Sequence, residues 1–203
     1  MFMKGETHFI IGMAVTTTLV TANVIVPSIF LFASAAAGSY LPDIDHGNGK
    51  INVSLGLTKV SYLALAILVL YYKVNSETII IALVLLAVGF SHHRGITHSF
   101  LALVSLFCIT DNLPGSIQAG LVVGYATHLL SDFCTDQGIE LLYPWGKNFR
   151  APLTITTGKW GERLVAGCCS VIAICNILLM TPEFRELLPV EWLDFTSNIK
   201  GIF

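Results

Sequence analysis

Charged residues fall along the chain in clusters, and long apolar runs separate them. No Asp, Glu, Lys or Arg occurs in 7–42, and further charge-free runs cover 60–72, 78–93, 95–110, 112–131 and 164–182. The runs are continuous rather than alternating, which excludes the strands of a membrane β-barrel. A helix that crosses a bilayer needs ~20 mostly apolar residues. The first run is long enough for two spans, and Pro27 sits where a turn between them would fall. The last two runs fit one span each. The middle three reach adequate length only with flanking residues such as 55–59, where Lys59 can snorkel to the interface. The expected helices are 8–23, 27–41, 56–72, 77–92, 97–110, 115–132 and 163–180. The expected fold is all-α: a polytopic helical membrane bundle of about seven helices, several of them short, with polar helix ends converging on one face. It forms one domain over 1–203, with an interfacial loop at 136–162 and a tail at 181–203.

Composition sharpens this picture. The chain is 54% hydrophobic and only 12% charged, against roughly 25% charged in an average soluble domain. A disordered chain is excluded by the same figures. A buried bundle in water would need an amphipathic coat for its all-apolar helices, and too little such sequence is present. Lys4 before an apolar stretch, with Ala33-Ser34-Ala35 after it, has some signal-peptide character. The stretch is too long for that and Pro27 interrupts it, so it reads as retained. The five cysteines form no C-x-x-C pair and read as free apolar thiols. A net charge of -2 gives no reason to expect nucleic acid as a partner. The expected partner is the lipid bilayer.

Tracing the spans back and forth brings the polar residues together. His8 opens the first helix on one face. The second helix returns there and ends at Leu41-Pro42-Asp43-Ile44-Asp45-His46. The fourth returns to His92-His93-Arg94, His98 opens the fifth, and the sixth ends with His128 and Asp132. All six histidines then share one side. Lys4, Lys50, Lys59, Arg94, Lys147, Arg150, Lys159 and Arg163 lie on that side, and Lys73, Arg185 and Lys200 lie opposite. The positive-inside rule therefore makes the histidine side cytoplasmic.

Ionisable residues at membrane helix ends are functional candidates by default. Pro42 ends the preceding helix, so Asp43 and Asp45 sit in a turn, where two close carboxylates call for a cation, an arginine or shared protons. His46 adds a nitrogen ligand. Gly95 permits a tight turn, Thr97 or Ser99 can cap the fifth helix, and Arg94 offers a charged fork for phosphate or carboxylate. Adjacent His92 and His93 diverge, so one of them is expected to face the pocket. His128 and Asp132 are spaced i, i+4 and share a helix face. Asp132 suits either a second ligand or a partner that holds the imidazole tautomer. Such mixed ligands suit zinc, manganese or iron, as one or two ions.

The order of these strings resembles the YdjM-like family of bacterial inner-membrane proteins, a family described as membrane-bound metal-dependent hydrolases. The carrying segments are Thr7-His8, Leu41-Pro42-Asp43-Ile44-Asp45-His46, His93-Arg94-Gly95-Ile96-Thr97-His98-Ser99, Gly124-Tyr125-Ala126-Thr127-His128-Leu129-Leu130-Ser131-Asp132 and Gly138-Ile139-Glu140-Leu141-Leu142-Tyr143-Pro144. They cover 7–144. The resemblance implies a metal site at His8, Asp43, Asp45, His46, His93, His98, His128 and Asp132, in the bacterial inner membrane. Relatives typically read Thr-Pro-x-Gly after the last histidine motif. This chain has Thr135-Asp136-Gln137-Gly138, which loosens the turn and adds a charge near the site.

The expected function is hydrolysis of a phosphate or acyl ester by metal-activated water at the cytoplasmic membrane surface. The expected metal, most simply zinc, is held by His8, Asp43, Asp45, His46, His93, His98 and His128. Asp132 would orient His128 or take a proton, and Arg94 would stabilise developing charge. The location suggests a lipid-linked or phosphorylated small-molecule substrate. The alternative is a non-enzymatic membrane protein with a structural or regulatory metal. A transporter would place its polar groups near the midplane, and a two-haem carrier would need histidines at two depths. Neither pattern is present in the sequence. The aromatic and basic residues of 136–162 fit a surface loop on lipid head groups, or a lid.

Overall fold

The computed structural model describes residues 3–45, 58–90 and 95–182. Seven α-helices appear: α1 Gly5–Thr21, α2 Ile29–Tyr40, α3 Lys59–Tyr72, α4 Ser76–Phe90, α5 Phe100–Ile109, α6 Gly115–Phe133 and α7 Trp160–Met180. Two 3-10 turns, Leu41–Asp45 and Ile96–His98, follow α2 and precede α5. Among the described residues there is no strand, only the isolated bridges Thr135–Ile155 and Ile139–Phe149. Each helix falls in one of the apolar runs.

Local chemistry sets several boundaries. The Ser28 hydroxyl accepts from Leu31 N–H and starts α2 after Pro27. Thr58 and Ser61 form a reciprocal capping box at α3. The expected helix 97–110 instead begins at Phe100, because Ser99 leaves helical geometry and its hydroxyl accepts from Ala102 N–H. That break turns Ile96–His98 into a separate 3-10 segment and buries His98.

The centre of the molecule is the α2–α6 pair. Its contact is built from small residues, so the two backbones nearly touch. A Cβ added at Gly124 would lie 2.1 Å from the Ala35 carbonyl oxygen, and one at Gly120 would lie 2.4 Å from that of Leu31. Gly120 and Gly124 are four apart and share a face, the small-x-x-x-small pattern of helices packing in lipid. The sequence reading passed over this signal. Helix α1 lies against both, with Gly12 pressed on the Ser39 hydroxyl, where a Cβ would lie 2.1 Å away.

Helix α7 runs parallel to α1 and is tied to it at both ends. Lys4 N–H and the Thr7 hydroxyl donate to Glu162 Oε1, each at 2.9 Å. Near the other end Asn176 Nδ2 donates to the Thr18 hydroxyl at 2.9 Å. Between these ties α7 presents Val171, Ile172 and Ile174 outward. It is the one described helix long and apolar enough to cross a membrane, with a mean hydropathy of 2.1 over its best window. Helices α3 and α4 pack as a pair, and α5 lies beside α6.

The connection from α6 to α7 is fastened to the helix ends. Ala151 N–H donates to the Phe133 carbonyl at 2.9 Å, and Phe100 N–H donates to that of Leu141 at 2.8 Å. Ile139 is fully buried against Tyr125 and Leu129. Gly138 has φ +66°, and a Cβ there would lie 2.3 Å from the Phe149 carbonyl oxygen, so this turn needs glycine. Trp145, Leu153 and Trp160 stay exposed.

Gly124→Ala is expected to force α2 from α6 and to cost about 1–3 kcal/mol. Gly115→Ala, whose Cβ would meet nothing within 4 Å, is the control and should be near neutral. Thermal unfolding of both variants in detergent checks the difference.

Candidate metal centre

Four elements deliver the polar residues to one point. Helix α1 brings His8 in its first turns, and the turn after α2 brings Asp43. The turn before α5 brings His98, and the last turns of α6 bring His128 and Asp132. His8, His98, His128 and Asp132 are at most 1% exposed. The Asp43 side chain remains 26% exposed and closes the cluster on its accessible side.

Both carboxylates sit among imidazoles. Asp132 Oδ1 lies 3.5 Å from His8 Nε2. Its Oδ2 lies 3.4 Å from His98 Nε2 and 3.8 Å from His128 Nε2. Asp43 Oδ1 is 3.6 Å from both His98 Nε2 and His128 Nε2. The two Nε2 atoms of His98 and His128 are 3.2 Å apart. The His8 and His128 rings stack with centroids 3.7 Å apart.

The outer ring nitrogens define the tautomers. His128 Nδ1 lies 2.7 Å from the Ser39 carbonyl oxygen. A carbonyl only accepts, so Nδ1 carries the hydrogen and the neutral ring leaves Nε2 unprotonated. The Ser131 hydroxyl donates to the His128 carbonyl at 2.8 Å and lies 2.6 Å from His8 Nδ1. With its one hydrogen on that carbonyl, it accepts from His8 Nδ1–H, and His8 Nε2 then turns a lone pair inward. This is how metal-ligating histidines are held by outer partners. The group that orients His128 is the Ser39 backbone, which no side-chain pattern could announce.

The spacing is compatible with a bound metal ion. Ligands ~2.0–2.1 Å from a tetrahedral metal stand roughly 3.3–3.4 Å from one another. Six inward-facing pairs are separated by 3.2–3.8 Å. Several of these distances exceed a hydrogen bond. Two overlapping groups, His8 with Asp43 and His128, and His98 with His128 and Asp132, bring one ligand atom from each residue within 4.8 Å. The cluster can hold a metal ion, and its nitrogen and oxygen donors suit a divalent transition metal.

Five of the sequence candidates thus come together. Asp45 ends the 3-10 turn, its side chain outside the described residues, and His46, His92, His93 and Arg94 also lie outside them. Asp136 is exposed and turned aside: its carboxylate accepts from the Thr154 hydroxyl at 2.5 Å. The Thr154 and Thr156 hydroxyls hold it below the usual carboxylate range. One buried acid was missed altogether. Glu162 lies one residue from His8 through Thr7, and its carboxylate also receives Gly158 N–H. An acid at the third position of α7 was the available signal.

A family model described as the YdjM inner membrane protein matches residues 3–188. The chain is 33% identical over 165 residues to the uncharacterized protein YvsG of Bacillus subtilis (strain 168), covering 80% of this chain and 87% of that protein. It is 30% identical over 113 residues to the inner membrane protein YdjM of Escherichia coli (strain K12), covering 52% of this chain and 56% of that protein. The YdjM protein of Shigella flexneri gives the same figures. No solved structure matches.

Nitrogen-15 NMR of the metal-free protein near neutral pH should show His8 and His128 protonated at Nδ1; an Nε2–H tautomer at His128 would refute the assignment. Ser131→Ala should weaken metal affinity about 10–100-fold by releasing His8, read by competition with a chelating dye.

Proposed function

The chain belongs to the YdjM family of inner membrane proteins, and from that premise we propose that it is a membrane-bound metal-dependent hydrolase. The observation that carries this reading is the group of three imidazoles and two carboxylates, buried except at Asp43. A structural metal site is typically sealed, whereas a catalytic one keeps a position for water or substrate. The 26% exposure of Asp43 supplies that opening.

His8, Asp43, His98, His128 and Asp132 hold the ion, with Asp45, His46 and His93 as further ligands or neighbours. Zinc is the simplest fit, with manganese or iron as the other candidates, and the two overlapping groups leave room for one or two ions. A bound divalent metal supplies a water whose pKa falls from ~15.7 toward ~7. The residues do the rest. The Ser39 carbonyl and the Ser131 hydroxyl keep His128 and His8 aimed inward. Asp132 spans the cluster with its two oxygens, which makes it a ligand in this reading. Asp43, at the opening, receives the proton of the attacking water. Arg94 stabilises charge on the phosphoryl or acyl oxygen.

The chain is read as a single multi-pass domain, with the centre on the cytoplasmic side of the inner membrane. The outward-facing apolar side chains of α3, α4, α5 and α7 support contact with lipid. The excess of Lys and Arg on the centre's side supports the orientation. The segment 136–162 rests at the head-group level. The substrate is a phosphate or acyl ester that reaches this surface.

His98→Ala and Asp132→Ala should each lose most of the bound metal and lower chelator-sensitive hydrolysis of generic phosphate or acyl esters by at least ~100-fold. Elemental analysis and a phosphatase and esterase panel check both. Metal content unchanged in both variants would sink the ligand assignment, and full metal with no hydrolysis of either ester class would favour the structural role.

A further inference from the structure

A second feature lies back to back with the metal centre. A cavity of about 360 Å³ opens between α3, α4, α5 and the two 3-10 turns. Its size falls in the range of small-molecule sites, roughly 300–1,000 Å³. Its wall and the metal cluster are built from the same short segments. Leu41 and Ile44 flank Asp43, Ile96 and Thr97 precede His98, and Tyr125 lies one turn before His128.

The wall is apolar in effect as well as in composition. Four hydroxyl-bearing residues line it, and each hydroxyl is already engaged. Tyr62 donates to the Ile44 carbonyl at 3.1 Å, and Tyr125 donates to that of Thr97. Ser105 donates to the Leu101 carbonyl at 2.8 Å, and Thr97 pairs with His98 Nδ1 at 3.1 Å. The remaining lining is aliphatic. A polar occupant would therefore lose hydrogen bonds to water for little in return. An apolar one loses nothing.

The mouth of the cavity is formed by residues that also face outward. Val84, Leu101 and Ile109 line it and are 38%, 50% and 43% exposed. They are continuous with the apolar outer face of α4 and α5, so a chain moving in lipid can enter sideways without crossing water. One end of the feature thus faces outward, and the wall at the other is shared with the metal cluster.

We propose that this cavity binds a single hydrocarbon chain, the apolar part of a lipid substrate. This names the substrate class for the hydrolase reading and rests on it for the reaction, though not for the binding. Leu85 and Ala102 are the wall positions that set the length of chain accepted.

The test is binding, so it stands apart from catalysis. The probes are saturated fatty acids of increasing length, which displace a fluorescent fatty acid from the metal-stripped full chain in nanodiscs. Affinity referred to the fatty acid free in water is expected to rise by up to about fourfold per methylene, corresponding to ~0.8 kcal/mol, in step with partition into empty nanodiscs, and then to stop rising when the cavity is full while partition continues to rise. Ala102→Trp should move that break to shorter chains, and Leu85→Ala should move it to longer ones. The two variants alter the wall in opposite senses, so a general folding defect cannot produce both shifts. An affinity that tracks partition alone, with no break, or a break that neither variant moves, overturns the proposal. A break that both variants move, in a protein without hydrolytic activity, upholds the chain site and removes the hydrolase reading. Hydrolysis of water-soluble esters without any break does the reverse.

Discussion

The close approach of α2 and α6 is the constraint on which the rest depends. Gly120 and Gly124 let the α2 backbone come within contact distance, and this places the Ser39 carbonyl 2.7 Å from His128 Nδ1. That one bond fixes which nitrogen of His128 faces inward. The same packing fixes the register of both helix ends. Asp132 follows His128 by one helical turn, and Asp43 follows Ser39 by four residues. Gly12 on α1 then seats against the Ser39 side chain, which brings His8 over the His128 ring. A bulkier seam would keep the helices and lose the cage.

The cage carries a cost that also indicates its purpose. Two carboxylates and three imidazoles are largely withdrawn from water, and two imidazole nitrogens face one another across 3.2 Å. A purely structural polar core would be expected to end in hydrogen bonds of ordinary length. Here the outer atoms do so, at Ser39 and Ser131, while the inner atoms stand at the spacing of ligands around an ion. A divalent cation would offset the two carboxylates and give the Nε2 lone pairs a common partner. Buried ionisable groups that lack such a partner are strongly destabilising.

Much of this was legible in the sequence, for physical reasons that differ by feature. Uninterrupted apolar runs favour continuous helix, so the charge-free runs located all seven helices of the described residues, and the observed bounds differ by only a few residues. Alternation of direction then brought His8, Asp43, His98, His128 and Asp132 to one side. The break before α5 was less visible, because Ser99 was one of two candidate caps and only its hydroxyl bond to Ala102 N–H settles the start. The Ser39 carbonyl could not be read at all, since backbone acceptors leave no mark in side-chain patterns. Glu162 was hidden by distance along the chain: its partners Lys4 and Thr7 lie more than 150 residues away. The apolar cavity depends on how α4 and α5 lean together, which no single segment encodes.

The central claim is that imidazole nitrogens and carboxylate oxygens from four elements together ligate metal. X-ray absorption at the edge of the metal that co-purifies with the full chain addresses it directly. The account predicts a shell of nitrogen and oxygen scatterers at ~2.0–2.2 Å, with the outer-shell pattern of at least two imidazole rings. A sulfur shell near ~2.3 Å, or oxygen scatterers alone without imidazole features, would contradict it.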